Sequence, residues 1–220
     1  MKTNSTALHR RTFIQQTALT IAGASSLSAL PMLGYASPYA DDNLNIIGPL
    51  EGYSPQIGIL VSMMAWNRAS VINAVNGLTQ QDLDFLIDDK SNTIGALLLH
   101  LAATDTVYQD LTFNNLKDFS DENKKKWGVA MELGDEGRKQ IKGNNLDYYL
   151  NALHEVRQKT LDEFKKRDHK WLAQVDPHFF NNQPTNNFCK WFHVCEHESN
   201  HRGQITVIRK RLPGSKSKAE

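Results

Sequence analysis

The chain has 220 residues, 40% of them hydrophobic and 22% charged, with 25 basic residues against 24 acidic. That is globular composition: it excludes disordered, collagenous and coiled-coil chains, and the length allows one domain or two small ones. Lys2, Arg10 and Arg11 are the only charges in residues 1–36, and the 22 basic and 24 acidic residues beyond them give a net charge of −2, without the basic stripe a nucleic-acid binder presents.

Residues 9–15 read His-Arg-Arg-Thr-Phe-Ile-Gln, and a weakly apolar stretch from Thr17 to Leu33 runs into Gly34-Tyr35-Ala36. A basic start, a short apolar middle and a small-x-Ala end describe an export signal over 1–36. Arg10-Arg11 followed by Thr-Phe-Ile resembles the twin-arginine motif. The resemblance implies export to the periplasm of a protein already folded, so that a metal can be inserted before crossing. The competing reading is an uncleaved membrane anchor. Gly23, the Ser/Thr residues and Pro31 weaken it, because a stable span needs about 20 strongly apolar residues. No later segment is apolar enough to span, so no membrane contact is expected once the signal is removed.

Residues 37–53 are rich in Pro, Asp, Asn and Gly and read as a linker. The bundle is expected over 54–212, with a basic tail at 213–220. Ile57, Leu60, Val61, Met64, Ala65, Val71, Ile72 and Val75 recur at helical spacing and predict a first helix from Pro55 to about Leu78. Ser91 is placed to cap a second, from Asn92 to about Phe113. Residues 114–144 are polar, with four glycines, and predict a long connection holding one short helix near Trp127–Leu133. Leu146, Tyr149, Leu150, Leu153, Val156, Leu161 and Phe164 form the stripe of a third helix, to about Arg167. Asn187 is placed to cap a fourth, from Phe188 to about Arg211, stopped by Pro213-Gly214. Strand-like alternation is absent. The fold class is therefore all-α, a four-helix bundle with a long connection between helices 2 and 3. Cys189 and Cys195 lie six residues apart on one helix, roughly 9 Å along its axis, too far for a disulfide.

The histidines carry the chemistry. His154, His169 and His178 stand alone in polar surroundings. His193, His197 and His201 repeat every four residues, so one helix face carries all three. An i, i+4 pair holds two imidazoles about 6 Å apart, suited to one metal ion. His100 sits in an otherwise apolar helix and is the natural third donor. His193 is open among three roles: support for a ligand, proton shuttle, or core residue. Gln204 lies about 20° behind His197 on the helical wheel and Asn200 about 60° behind. With His193 they are the candidate catalytic residues, able to orient a water or substrate. Glu196 and Glu198 flank His197 and are placed to bond the outer imidazole nitrogens, a role His193 could share. Arg202 is expected in a structural ion pair.

Two motif readings compete. His197-Glu198-Ser199-Asn200-His201 formally matches H-E-x-x-H, in which the glutamate is the general base of a metalloprotease. That motif needs a downstream ligand, and after His201 the chain has no histidine and only Glu220 as an acid. The second reading covers nearly all of the chain beyond the signal. Phe192 to Ile205, with His197-x-x-x-His201-Arg202-Gly203-Gln204, resembles the last helix of the DinB-like superfamily, and Ser91 to His100 resembles its second. The resemblance implies a four-helix bundle with a divalent metal on His100, His197 and His201. Zinc, nickel, iron and manganese all accept imidazole. Relatives include thiol-dependent transferases and isomerases, so the resemblance implies a metal-dependent hydrolase or thiol transferase acting on a small molecule. A non-catalytic metal-binding scaffold is the alternative. Neither reading involves nucleic acid, and both leave room for a homodimer.

Overall fold

The computed structural model describes residues 44–214. The segment expected to be an export signal, 1–36, the start of the expected linker and the end of the expected basic tail lie outside the described residues. Within them the elements run α1 (Pro55–Val75), α2 (Gln80–Leu83), α3 (Ile94–Thr112), α4 (Asp121–Glu132), α5 (Gly134–Gln140), α6 (Leu146–Phe164), α7 (His169–Ala173), β1 (Val175–Asp176), a 3₁₀ turn (Phe180–Asn182), β2 (Thr185–Asn186) and α8 (Asn187–Arg209). The four long helices α1, α3, α6 and α8 make the expected all-α bundle. The connection between α3 and α6 holds two helices rather than one. A minimal antiparallel pair, Val175 opposite Asn186 and Asp176 opposite Thr185, closes the loop before α8.

The helix starts follow from caps. The second long helix begins later than Ser91 implied, because the Thr93 side chain accepts from Ala96 N at 3.0 Å. Ser91 instead folds into a turn with Asp88. Asn186, not Asn187, caps α8 by accepting from Cys189 N at 2.8 Å. Ser120 and Asn145 cap α4 and α6 in the same way. Each such oxygen satisfies a backbone donor that has no partner within the helix.

Helix α3 is the axis of the bundle. It is buried along most of its length and packs against α4, α6 and α8, while α1 lies against α8. Gly95 on α3 lets the Tyr149 ring of α6 lie against the backbone: a Cβ there would stand 2.7 Å from the phenol oxygen. One apolar cluster gathers Leu97, Leu98, Leu101, Tyr149, Leu153 and Ile205. A second gathers Ile57, Leu60, Met64, Phe113, Phe164 and Trp191.

Residues 44–53 do not behave as the linker the composition implied. Gly48 N donates to Ser62 Oγ at 3.2 Å and Trp66 Nε1 to Asn45 Oδ1 at 3.3 Å. Leu50 and Tyr53 pack on the second cluster. The missing side chain of Gly58 admits the Pro49-Leu50 backbone across α1; a Cβ there would meet Pro49 C at 3.2 Å. Cys189 is exposed and Cys195 buried, and both are free thiols. Burial pushes the Cys195 thiol up to about 12, which suits its place as a core residue.

Candidate metal centre

Helices α3 and α8 face each other in opposite directions, and polar residues spaced by four match across the seam. Helix α3 contributes His100, Thr104 and Tyr108; helix α8 contributes His201, His197 and His193. His197 Nε2 lies 2.8 Å from His100 Nε2 and 3.0 Å from His201 Nε2. One ligand atom from each of His100, His197 and His201 lies within 4.8 Å of the others. His100 and His201 are buried, and His197 is half-buried, so the cluster reaches solvent on one side.

The outer nitrogens decide the tautomers. His100 Nδ1 is 2.9 Å from the Ala130 carbonyl at the end of α4. A carbonyl only accepts, so Nδ1 carries the proton and Nε2 offers a lone pair. His201 Nδ1 is 3.0 Å from Gln204 Oε1, while Gln204 Nε2 donates to Asn200 Oδ1 at 3.2 Å. His201 Nε2 therefore also offers a lone pair. Both point at His197 Nε2. Burial lowers the pKa of His100 to about 4, against the Ala130 bond, with His201 adding to the fall. Burial, His201 and His100 bring His197 down to about 3. Burial also lowers His201, opposed by Gln204. All three are neutral at pH 7.

This donor set fits a cation. A proton on His197 Nε2 can serve only one of the two facing lone pairs at a time, whereas a metal ion serves all three nitrogens. Imidazole nitrogens at about 2.0–2.1 Å from one tetrahedral ion stand about 3.3 Å apart, so the His197–His100 and His197–His201 pairs need to spread by only a few tenths of an ångström.

The structure corrects the expected roles of the flanking acids. Neither Glu196 nor Glu198 bonds an outer imidazole nitrogen; the Ala130 carbonyl and Gln204 do. Glu196 is exposed, with its nearest approach to a histidine at 4.0 Å from His193 Nε2. Glu198 turns the other way, 1% exposed, into a buried network. It accepts from Arg68 Nε and, at 3.1 Å, from Arg157 Nη2. Asp105 accepts from Arg157 Nε at 2.7 Å. Burial opposes charge on Arg157 and Glu198, but the partners win: the Arg157 pKa is raised and the Glu198 pKa lowered. The reason is angular, since neighbours on a helix point about 100° apart and Glu198 faces α1 and α6. A glutamate so committed cannot serve as the general base of an H-E-x-x-H protease, and the third histidine comes from upstream, not downstream.

Arg202 lies over the Trp66 ring, 6.0 Å from its centre, and enters no ion pair among the described residues. His154, His169 and His178 do not join the cluster. Thr104 and Tyr108 were not legible as site residues, although their i+4 and i+8 spacing from His100 was the available signal. Thr104 Oγ1 donates to the His100 carbonyl at 2.9 Å and lies 3.4 Å from His197 Nε2. The Ala130 carbonyl left no signal, because any residue supplies a carbonyl.

Two comparisons with known proteins bear on this site. The family model for mycothiol-S-transferase matches residues 59–214, which include all three clustered histidines. No curated protein matches the chain significantly.

Proposed function

Because the chain belongs to the mycothiol-S-transferase family, a member of the DinB-like superfamily, we propose that it is a metal-dependent enzyme in which a thiol or a water attacks an electrophilic small molecule. The ligands in this reading are His100, His197 and His201. The observation that carries it is the convergence of their Nε2 atoms, with two of the three tautomers set from outside. A divalent cation held by these three residues would supply a Lewis acid that lowers the pKa of a thiol or water.

The chain's own residues hold this arrangement. The Ala130 carbonyl fixes the His100 ring, and Asn200 holds the Gln204 amide, which fixes His201. The Arg68–Asp105–Arg157–Glu198 network ties α8 to α1, α3 and α6 beside His197. Zinc, nickel, iron and manganese all suit three imidazoles, so the donor set does not select among them. Arg10-Arg11 and the stretch to Ala36 support export to the periplasm by the twin-arginine route, with the cation loaded beforehand. Low-molecular-weight thiols are mainly cytoplasmic, so that location favours water over a thiol as the attacking group.

The test is metal content and turnover of protein recovered from its export route. His100→Ala, His197→Ala and His201→Ala are each expected to lose most of the bound divalent metal, while His154→Ala, His169→Ala and His178→Ala keep it. Turnover of a panel of electrophiles with and without added thiol then separates transfer from hydrolysis. Unchanged metal content in all three ligand variants would sink the metal centre. Retained metal with no turnover across the panel would favour the scaffold.

A further inference from the structure

His193 has no place in the ligand set, yet its ring is held on three sides. Its centre lies 5.3 Å from that of His197, 5.1 Å from Phe180 and 5.8 Å from Tyr108. Its Nδ1 is 2.8 Å from the Tyr108 hydroxyl. Tyr108 is 5% exposed, and burial raises its pKa, helped by Cys189 and Glu196, so it is a neutral phenol. Among the described residues His193 Nδ1 is the hydrogen-bond partner of that hydroxyl. A buried O–H left without an acceptor costs about 1–3 kcal/mol, so the phenol donates and Nδ1 supplies the lone pair. The proton of the neutral ring then sits on Nε2. The nearest carboxylate oxygen to Nε2, on Glu196, is 4.0 Å away, beyond hydrogen-bonding distance. The side chain is 36% exposed and its ring stands beside that of His197, so this N–H has no carboxylate partner and is accessible.

We propose that His193 is a fixed hydrogen-bond donor, through Nε2–H, to an anion held at the His100–His197–His201 centre, and that Tyr108 is the positioning residue that sets this tautomer. The inference rests on the metal reading above. A cation held by three neutral imidazoles would keep its full positive charge and would favour an anionic ligand, for which the His193 N–H would be a donor. His193 is not a base in this arrangement. Accepting a proton on Nε2 would require a shift of the ring to the Nδ1–H form, with its Tyr108 bond lost or reversed.

The tautomer is read directly by long-range ¹H–¹⁵N correlation on the metal-free, ¹⁵N-labelled full chain at pH 8. The expected spectrum has His193 Nδ1 unprotonated and Nε2 protonated, and Tyr108→Phe moves both resonances toward a tautomer mixture. The anion is then probed with azide on the cobalt-loaded protein by visible absorption. Tyr108→Phe and His193→Phe are expected to weaken azide binding about 3- to 10-fold, with cobalt content unchanged. Circular dichroism confirms that both variants fold. An Nδ1-protonated His193 in the unmodified chain overturns the assignment whatever the variants do. Equal azide affinity in all three proteins overturns the donor role. Failure of the unmodified chain to hold cobalt removes the centre and the anion with it, while the tautomer result still reports on Tyr108.

Discussion

Glu198→Gln separates a structural glutamate from a catalytic one. Glu198 is 1% exposed and binds Arg68 and Arg157, whose side chains are 11% and 8% exposed. The amide keeps one acceptor oxygen but removes the charge and turns an NH₂ toward a guanidinium. Asp105 is then left as the one carboxylate of the network facing two arginines. Breaking a buried ion pair by removing one partner costs about 3–5 kcal/mol. Gln retains part of the hydrogen bonding, so a loss of about 3 kcal/mol is expected, or roughly 6–12 °C in melting temperature for a domain of this size. The assay is urea unfolding of the metal-free protein at pH 7.5, with the slope checked for constancy. Metal content at low temperature should be near normal, since Glu198 contacts no ligand nitrogen. A variant within about 0.5 kcal/mol of the parent that has lost its metal or its turnover would refute this reasoning and return Glu198 to the centre.

The metal-free protein should also lose stability as pH falls. The His100 pKa is lowered from 6.5 to about 4 in the folded state, so folding disfavours its protonation. Its contribution is fully present above pH 6.5 and lost as pH falls to about 4, by about 3 kcal/mol at most. Urea midpoints of the parent and His100→Gln from pH 7 to 4 check this, and parallel curves would contradict it. Gly95→Ala should destabilise by about 1–3 kcal/mol through overpacking against Tyr149, where the new Cβ would lie 2.7 Å from the ring; an unchanged melting temperature would show that the ring yields freely. Changing Arg10 and Arg11 together to Lys should trap precursor in the cytoplasm, as fractionation would show; normal export of that variant would exclude the twin-arginine route.

The sequence by itself determined the bundle and the ligand candidates, because both are local patterns. Apolar residues at helical spacing mark α1, α3, α6 and α8 wherever they pack. The four-residue repeat of His193, His197 and His201 puts them on one face of any helix. His100 stood out because a polar ring in an apolar stretch needs a partner. What each flanking group does was decided only by tertiary structure. Glu196 and Glu198 adjoin the same ligand in sequence, yet one meets solvent and the other two arginines from α1 and α6, residues 130 and 41 positions away. The His100 ring is fixed by a carbonyl 30 residues on, an interaction that carries no side-chain signature. Residues 44–53 read as linker from composition, but Gly58 opens a groove on α1 that binds them. Spacing along a helix assigns the face a side chain occupies; what stands opposite depends on which helix packs there and in what register, and that is set by the whole core together.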